Sequence, residues 1–164
     1  MKFYTGIGSR DCPSNKEQEI GYIASVLEKQ GWTLRSGGAN GADTYFENGV
    51  MGDNKEIFLP WSNFNGNKSS LFNPSDEAFE IAAKFHPNYK LLSDAGKRLM
   101  ARNSHQVLGL KLNNPSSFLV CWTPGGKVVG GTSQAIRIAS YYKVPIFNLG
   151  SETGFEEFKK FLKL

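Results

Sequence analysis

Leu34-Arg35-Ser36-Gly37-Gly38-Ala39-Asn40-Gly41-Ala42-Asp43 decides the fold: a short apolar strand, Trp32 to Leu34, runs into three glycines, and a helix begins near Asn40. Without a Cβ the backbone can crowd its N–H groups around an anion, and a helix N-terminus adds partial positive charge, so the stretch reads as a phosphate cradle. Taken alone it is equally well a tight strand-to-helix turn in which glycine only relieves strain. The neighbouring chain separates the two readings.

Outward from that turn, apolar runs and helical periodicities alternate. Phe3–Ile7 is a first strand, and Ile20, Ile23, Val26 and Leu27 give a helix over about Lys16 to Gln30 a buried face. Glu56–Leu59 is a third strand, closed by Pro60-Trp61. Ser62 to Pro74 is rich in Asn, Ser and Gly and reads as a long functional loop over the strand ends. Helices are expected over about Asp76 to Phe85 and Asp94 to Leu108, separated by His86-Pro87. Ser117–Trp122 is apolar throughout, as suits a central parallel strand covered on both faces. A helix carrying Ala135, Ile136, Ile138, Ala139 and Tyr142, a strand Val144–Asn148 and a helix carrying Phe155, Phe158, Phe161 and Leu162 complete the chain. Strand–helix alternation implies right-handed crossovers, hence a three-layer α/β Rossmann-like domain. Its sheet should be mostly parallel, five-stranded or slightly larger, and flanked by helices.

At 164 residues the chain is expected to form a single domain over residues 1–164. It shows no signal peptide and no membrane span, so a cytoplasmic protein without a membrane partner is expected. The net charge of +4 favours anionic ligands. Its lysines and arginines form no run, so DNA is not an expected partner and a phosphorylated small molecule is. Cys12, Cys121, His86 and His105 have no metal-ligand spacing; no metal and no cofactor are expected.

Two further strands end in glycines like the first turn. Gly6-Ile7-Gly8-Ser9-Arg10 follows the first, and Thr123-Pro124-Gly125-Gly126 with Gly130-Gly131-Thr132 follows the fourth. In a parallel sheet all of these lie on one edge, where open α/β sheets bind ligands. The candidate ligand-binding residues are therefore Gly8, Ser9, Arg10, Arg35, Ser36, Gly37, Gly38, Ala39, Asn40, Gly41, Trp122, Thr123, Gly125, Gly126, Gly130, Gly131 and Thr132. Arg10 and Arg35 are suited to phosphate oxygens, and Trp61 and Trp122 to stacking on a base. Asp11 occupies the place of the last glycine of GxGxxG and no Gly-Lys-Ser/Thr follows a loop, which excludes the dinucleotide-dehydrogenase and P-loop fingerprints. Asp43 and Glu47 stand one helical turn apart and are expected to face the crevice together, toward a sugar.

Gly8-Ser9-Arg10, the run Arg35 to Asp43 with Phe46-Glu47-Asn48-Gly49, and the Pro124–Thr132 glycines together resemble the SLOG superfamily. That superfamily includes DNA-processing protein A, the cytokinin-producing LOG phosphoribohydrolases and sensor domains for ADP-ribose-derived signals in antiphage systems. His86-Pro87-Asn88, Ala101-Arg102-Asn103, Gln106–Gly109 and Cys121-Trp122-Thr123 are most similar to small stand-alone members from bacteriophages and bacteria, which makes a role against such defences a candidate. The resemblance implies a phosphate site, Arg102 and Asn103 among the ligand-binding residues, and a homo-oligomer, dimer or higher. LOG enzymes carry Pro-Gly-Gly-x-Gly-Thr-x-x-Glu, whose Glu stabilises an oxocarbenium ion; here the glycine pairs are further apart and Ala135 stands at the Glu position. Their upstream arginine falls on Gly96, with Arg98 or Lys97 as substitutes. The resulting expectation is a protein that holds a nucleotide or nucleotide-derived phosphorylated ligand, such as an ADP-ribose-type or cyclic signalling nucleotide, as sensor or sequestering protein. The alternative is a nucleotide N-glycosidic-bond hydrolase or transferase, with Asp43, Glu47 and Arg98 as catalytic candidates.

Overall fold

The computed structural model describes all residues, 1–164. β1 (Lys2–Gly8), β2 (Trp32–Ser36), β3 (Lys55–Ile57), β4 (Leu119–Trp122) and β5 (Ile146–Asn148) form one sheet in the order β3-β2-β1-β4-β5, parallel at every pairing. The order reverses between β1 and β4, where Gly8 lies opposite Trp122 at the carboxyl edge. This is the Rossmann-like α/β architecture expected from the alternation of strands and helices.

The helices are α1 (Glu17–Lys29), α2 (Ala42–Gly49), α3 (Asp76–Phe85), α4 (Asp94–Leu108), α5 (Thr132–Tyr141) and α6 (Gly154–Leu162). α3 and α4 span the expected residues because serine caps define their starts: Ser75 Oγ accepts from the Ala78 N–H at 3.3 Å and Ser93 Oγ from the Gly96 N–H at 3.1 Å. The strand alternation divides the core in two. Tyr4, Leu34, Phe118, Val120 and Trp122 point toward α1, α2 and α6, while Ile7, Leu119 and Cys121 point toward α3, α4 and α5. The first layer centres on Phe118, whose ring lies 4.8 Å from Trp32 and 5.6 Å from each of Tyr4, Phe158 and Phe161, centroid to centroid.

The Ser62–Pro74 segment holds a short helical turn, Phe64–Gly66, and is tied down by a bridge between Leu59 and Phe72. Asn63, Asn65 and Asn73 adopt left-handed backbone angles there, a region asparagine tolerates better than most residues. No helix is long and apolar enough to cross a membrane.

Phe118→Ala leaves a cavity among four aromatic rings. It should lower the unfolding free energy by about 3–5 kcal/mol in urea denaturation.

Candidate functional site

The strand reversal opens a crevice of about 350 Å³ between the loop after β1, the start of α2, the outer face of α4 and the start of α5. Gly8, Ser9, Arg10, Ala39, Asp43, Arg102, Asn103, Gly130, Gly131 and Thr132 line it, together with Phe64 and Gln106. The glycine turns after β1, β2 and β4 lie on one edge of the sheet, but only Gly8, Gly130 and Gly131 among their glycines line the crevice.

The turn after β2, read as the phosphate seat, is packed shut. The Ala42 N–H, at the start of α2, donates to Ser9 O at 3.3 Å, and the Ala39 N–H to Asp43 Oδ2 at 3.3 Å. Gly37 is covered from α4: a Cβ on it would lie 2.0 Å from Gln106 Nε2 and 2.6 Å from an Arg102 Nη. Gly38 (φ +70°) would meet Leu59 at 2.7 Å, and Gly41 (φ +79°) would meet Ser9 O at 2.6 Å. These glycines serve close packing, and Asn40 is exposed outside the crevice. Ser36 is buried, and its hydroxyl has no partner.

Open donors sit instead at α5. The N–H groups of Gly130, Gly131 and Thr132 make no hydrogen bond, and the helix has no side-chain cap, so its partial positive charge faces the crevice. Arg10 adds an exposed guanidinium at the mouth.

Opposite lie two buried charges. Asp43, 3% exposed, accepts from the Gly8 N–H at 3.0 Å as well as from Ala39. Burial pushes its carboxyl up to about 6, against the lowering influence of Arg102 and the two N–H donors. Arg102, 6% exposed, donates to Gly37 O, to Phe58 O at 3.3 Å and through Nε to Asn103 Oδ1 at 3.0 Å. No hydrogen bond or ion pair joins it directly to Asp43, and its second Nη is free. Asn103 Nδ2 in turn donates to Gly131 O at 3.1 Å, linking α4 to the start of α5.

Several expected site residues lie elsewhere. Arg35 is buried on β2 below the crevice, donating to Asn114 O at 2.7 Å and Ser116 Oγ at 3.1 Å, with Glu56 at 3.5 Å and the Phe3 ring 4.0 Å away. Trp122 points through the two-residue strand period into the opposite core layer. Trp61 packs edge-on against Phe64, and it is Phe64 that reaches the crevice. Thr123 donates its hydroxyl to Lys127 O at 2.6 Å and accepts from Asn148 at 2.7 Å, bracing the Pro124 turn. Gly125 and Gly126 take positive φ in that turn; Gly126 lies against Ser151 and neither lines the crevice. Glu47 sits one turn, about 6 Å, further along α2 than Asp43. There it accepts from Asn67 Nδ2 at 3.0 Å and lines a separate groove with Lys55 and Lys68. Arg98 is exposed, about a quarter-turn around α4 from the Leu99–Asn103–Gln106 face.

Phe64 and Gln106 were not anticipated as site residues. Gln106 carried a usable signal, because Arg102-Asn103-Ser104-His105-Gln106 is a run of polar residues within a helix that is buried. Such a run needs polar partners or a polar cavity.

An all-parallel Rossmann-like domain with a ligand-sized crevice at the strand reversal is the class that fold and geometry define. No family model and no curated protein sequence matches the chain. Among solved structures it is similar to DNA processing protein A from Helicobacter pylori, whose described feature is its single-stranded DNA binding mode: TM-score 0.61, 20% identity, 97% of this chain and 72% of that one. It is also similar to the Chlamydomonas rheinhardtii Moco carrier protein: TM-score 0.54, 19% identity, 99% of this chain and 85% of that one. At these identities the likeness establishes the fold. The expectation that DNA is not a partner gains no support from a neighbour described by its DNA binding.

Asp43 has a measurable pH signature. With a folded value near 6 and an ordinary value of 3.8, the folded state retains a proton that the unfolded chain has lost between those limits. Stability from this group is therefore full at acid pH and falls as pH rises from about 4 to about 6. Asp43→Asn, which keeps an acceptor for Gly8, should gain on the wild type by about 3 kcal/mol across that window in urea denaturation.

Proposed function

We propose that the crevice binds a nucleotide or nucleotide-derived phosphorylated ligand, and that the protein acts by holding it, as sensor or sequestering protein. The observation that carries this reading is the start of α5, whose Gly130, Gly131 and Thr132 N–H groups have no partner and share one crevice with Asp43 and Arg102, which form no ion pair with each other. Backbone N–H groups without partners at a helix start suit phosphate oxygens, and Arg10 can add a charge-assisted contact. Phe64 offers a flat apolar surface to a base. The crevice volume, about 350 Å³, lies at the small end of ligand sites and fits a mononucleotide-sized group. The SLOG resemblance of the glycine loops points to the same ligand class, including ADP-ribose-type and cyclic signalling nucleotides.

A second reading, cleavage of a nucleotide N-glycosidic bond, is favoured by Asp43: a buried crevice carboxylate held near 6 suits proton transfer at neutral pH. The LOG-type mechanism itself has no support, because Ala135 is fully buried in the core and no carboxylate follows Thr132 on the first turn of α5.

Mass spectrometry of the small molecule that co-purifies discriminates these readings. An intact nucleotide supports holding; free base with ribose phosphate supports cleavage; single-stranded DNA in place of either removes the small-molecule reading. Arg10 is exposed and makes no hydrogen bond. Arg10→Ala should weaken binding of a nucleoside monophosphate about tenfold, with an unchanged melting temperature and a reduced salt dependence by calorimetry. Gly37→Ala should displace the ends of Gln106 and Arg102 into the crevice. It should abolish binding while the protein stays folded by circular dichroism.

A further inference from the structure

We propose that the floor of the crevice is a vicinal-diol site, and that Gln106 is the residue by which it distinguishes ribose from deoxyribose. The inference rests on the nucleotide reading above and specifies the sugar that reading leaves open. Gln106 is 2% exposed and lines the crevice, and its carboxamide forms no hydrogen bond with the protein. Its backbone carbonyl accepts from Thr5 Oγ1 at 2.6 Å, which fixes that turn of α4 against β1. The side chain lies across Gly37 in space a Cβ would fill. What exposure the amide keeps opens on the crevice, so its donor and acceptor stay available to whatever enters there.

The neighbouring polar groups determine what satisfies it. Arg102 has one Nη left to donate, and Asp43 retains acceptor capacity beyond the Gly8 and Ala39 N–H groups. Gln106 both donates and accepts. The floor thus combines an anionic acceptor, a cationic donor and one group that does both, with Ile7 and Ala39 as its apolar lining. A phosphate there meets the Asp43 carboxylate, and like charges in a buried site repel strongly. A base needs a flat flanking surface; Phe64, the aromatic ring of the crevice, has the Arg102 guanidinium 5.6 Å from its centroid, so base readout at this floor is the competing outcome of the test. Two adjacent hydroxyls, each a donor and an acceptor, match the three groups without net charge. A ligand whose phosphate lies at α5 and whose ribose diol lies on this floor occupies both polar ends of the crevice.

Calorimetric titration of the full chain with adenosine 5′-monophosphate, its 2′-deoxy form, ribose 5-phosphate, 2-deoxyribose 5-phosphate and ADP-ribose tests the assignment. Adenosine 5′-monophosphate and ribose 5-phosphate should each bind at least tenfold more tightly than their 2-deoxy counterparts. Gln106→Met should shrink that gap to within about threefold by weakening the ribo member alone, and Gln106→Glu, which keeps the acceptors and loses the donor, should fall between. Because the side chain has no protein partner, Gln106→Met should melt with the wild type, whereas Gln106→Glu adds a second carboxylate to the floor that holds Asp43 and should melt lower. If Gln106→Met does not fold, Gln106→Glu carries the comparison. Equal affinity of the wild type for ribo and deoxy members overturns the diol assignment and leaves the phosphorylated-ligand reading standing. Loss in Gln106→Met of the preference for adenosine 5′-monophosphate over base-free ribose 5-phosphate, with the sugar gap intact, overturns it in favour of base readout. Failure of all five probes to bind overturns both proposals.

Discussion

The carboxylate of Asp43 holds the crevice together. One oxygen accepts from the Gly8 N–H at the end of β1 and the other from the Ala39 N–H in the turn after β2, so a single side chain clasps two adjacent strand ends. The clasp works only because glycine lets the loops meet: a Cβ on Gly8 would lie 2.5 Å from Trp122 O, and one on Gly41 would lie 2.6 Å from Ser9 O. Desolvating a carboxylate is unfavourable, and here two N–H donors and the field of Arg102 offset part of that penalty. The part of the penalty that is not offset lies at the crevice wall, where the Asp43 carboxyl is raised to about 6.

The division of labour follows from that clasp. One helix start, that of α2, gives its first N–H to Ser9 O behind glycines covered by the protein's own groups, while the other, that of α5, lines the crevice with Gly130, Gly131 and Thr132. Two strand-to-helix junctions in one sheet thus have opposite fates, one sealed and one open. α4 lies between them and supplies Arg102 to one side and Asn103 to the other.

Much of this order was legible in the chain. The break at His86-Pro87 separated α3 from α4, and strand–helix alternation led to the parallel sheet. Glycines marked the correct edge of that sheet. What they did not reveal was whether a given glycine clears space for a ligand or for the protein's own side chains, since both uses leave the same residue. Gly37 admits Gln106 and Arg102 from a helix some sixty-five residues away, a contact no local pattern encodes. Arg35 and Trp122 were misplaced for a simpler reason. A residue at a strand end can face either layer or lie below the rim, and only the register, Thr5 opposite Arg35 and Gly8 opposite Trp122, fixes which. Glu47 shares a helix with Asp43, but its neighbour Asn67 comes from a loop whose path the composition leaves undefined.

The strand order also governs how the molecule comes into being. β1 pairs on one side with β2, its nearest neighbour in sequence, and on the other with β4, which follows more than a hundred residues later. The helix start that closes the crevice, at Thr132, lies later still. On a ribosome the β1–β2–β3 half is made first and presents the bare hydrogen-bonding edge of β1 until β4 arrives. Such long-range parallel pairing is slow to form. The crevice is therefore assembled late in the order of synthesis, and an unfinished chain has a sticky open strand edge where the finished one has a closed sheet.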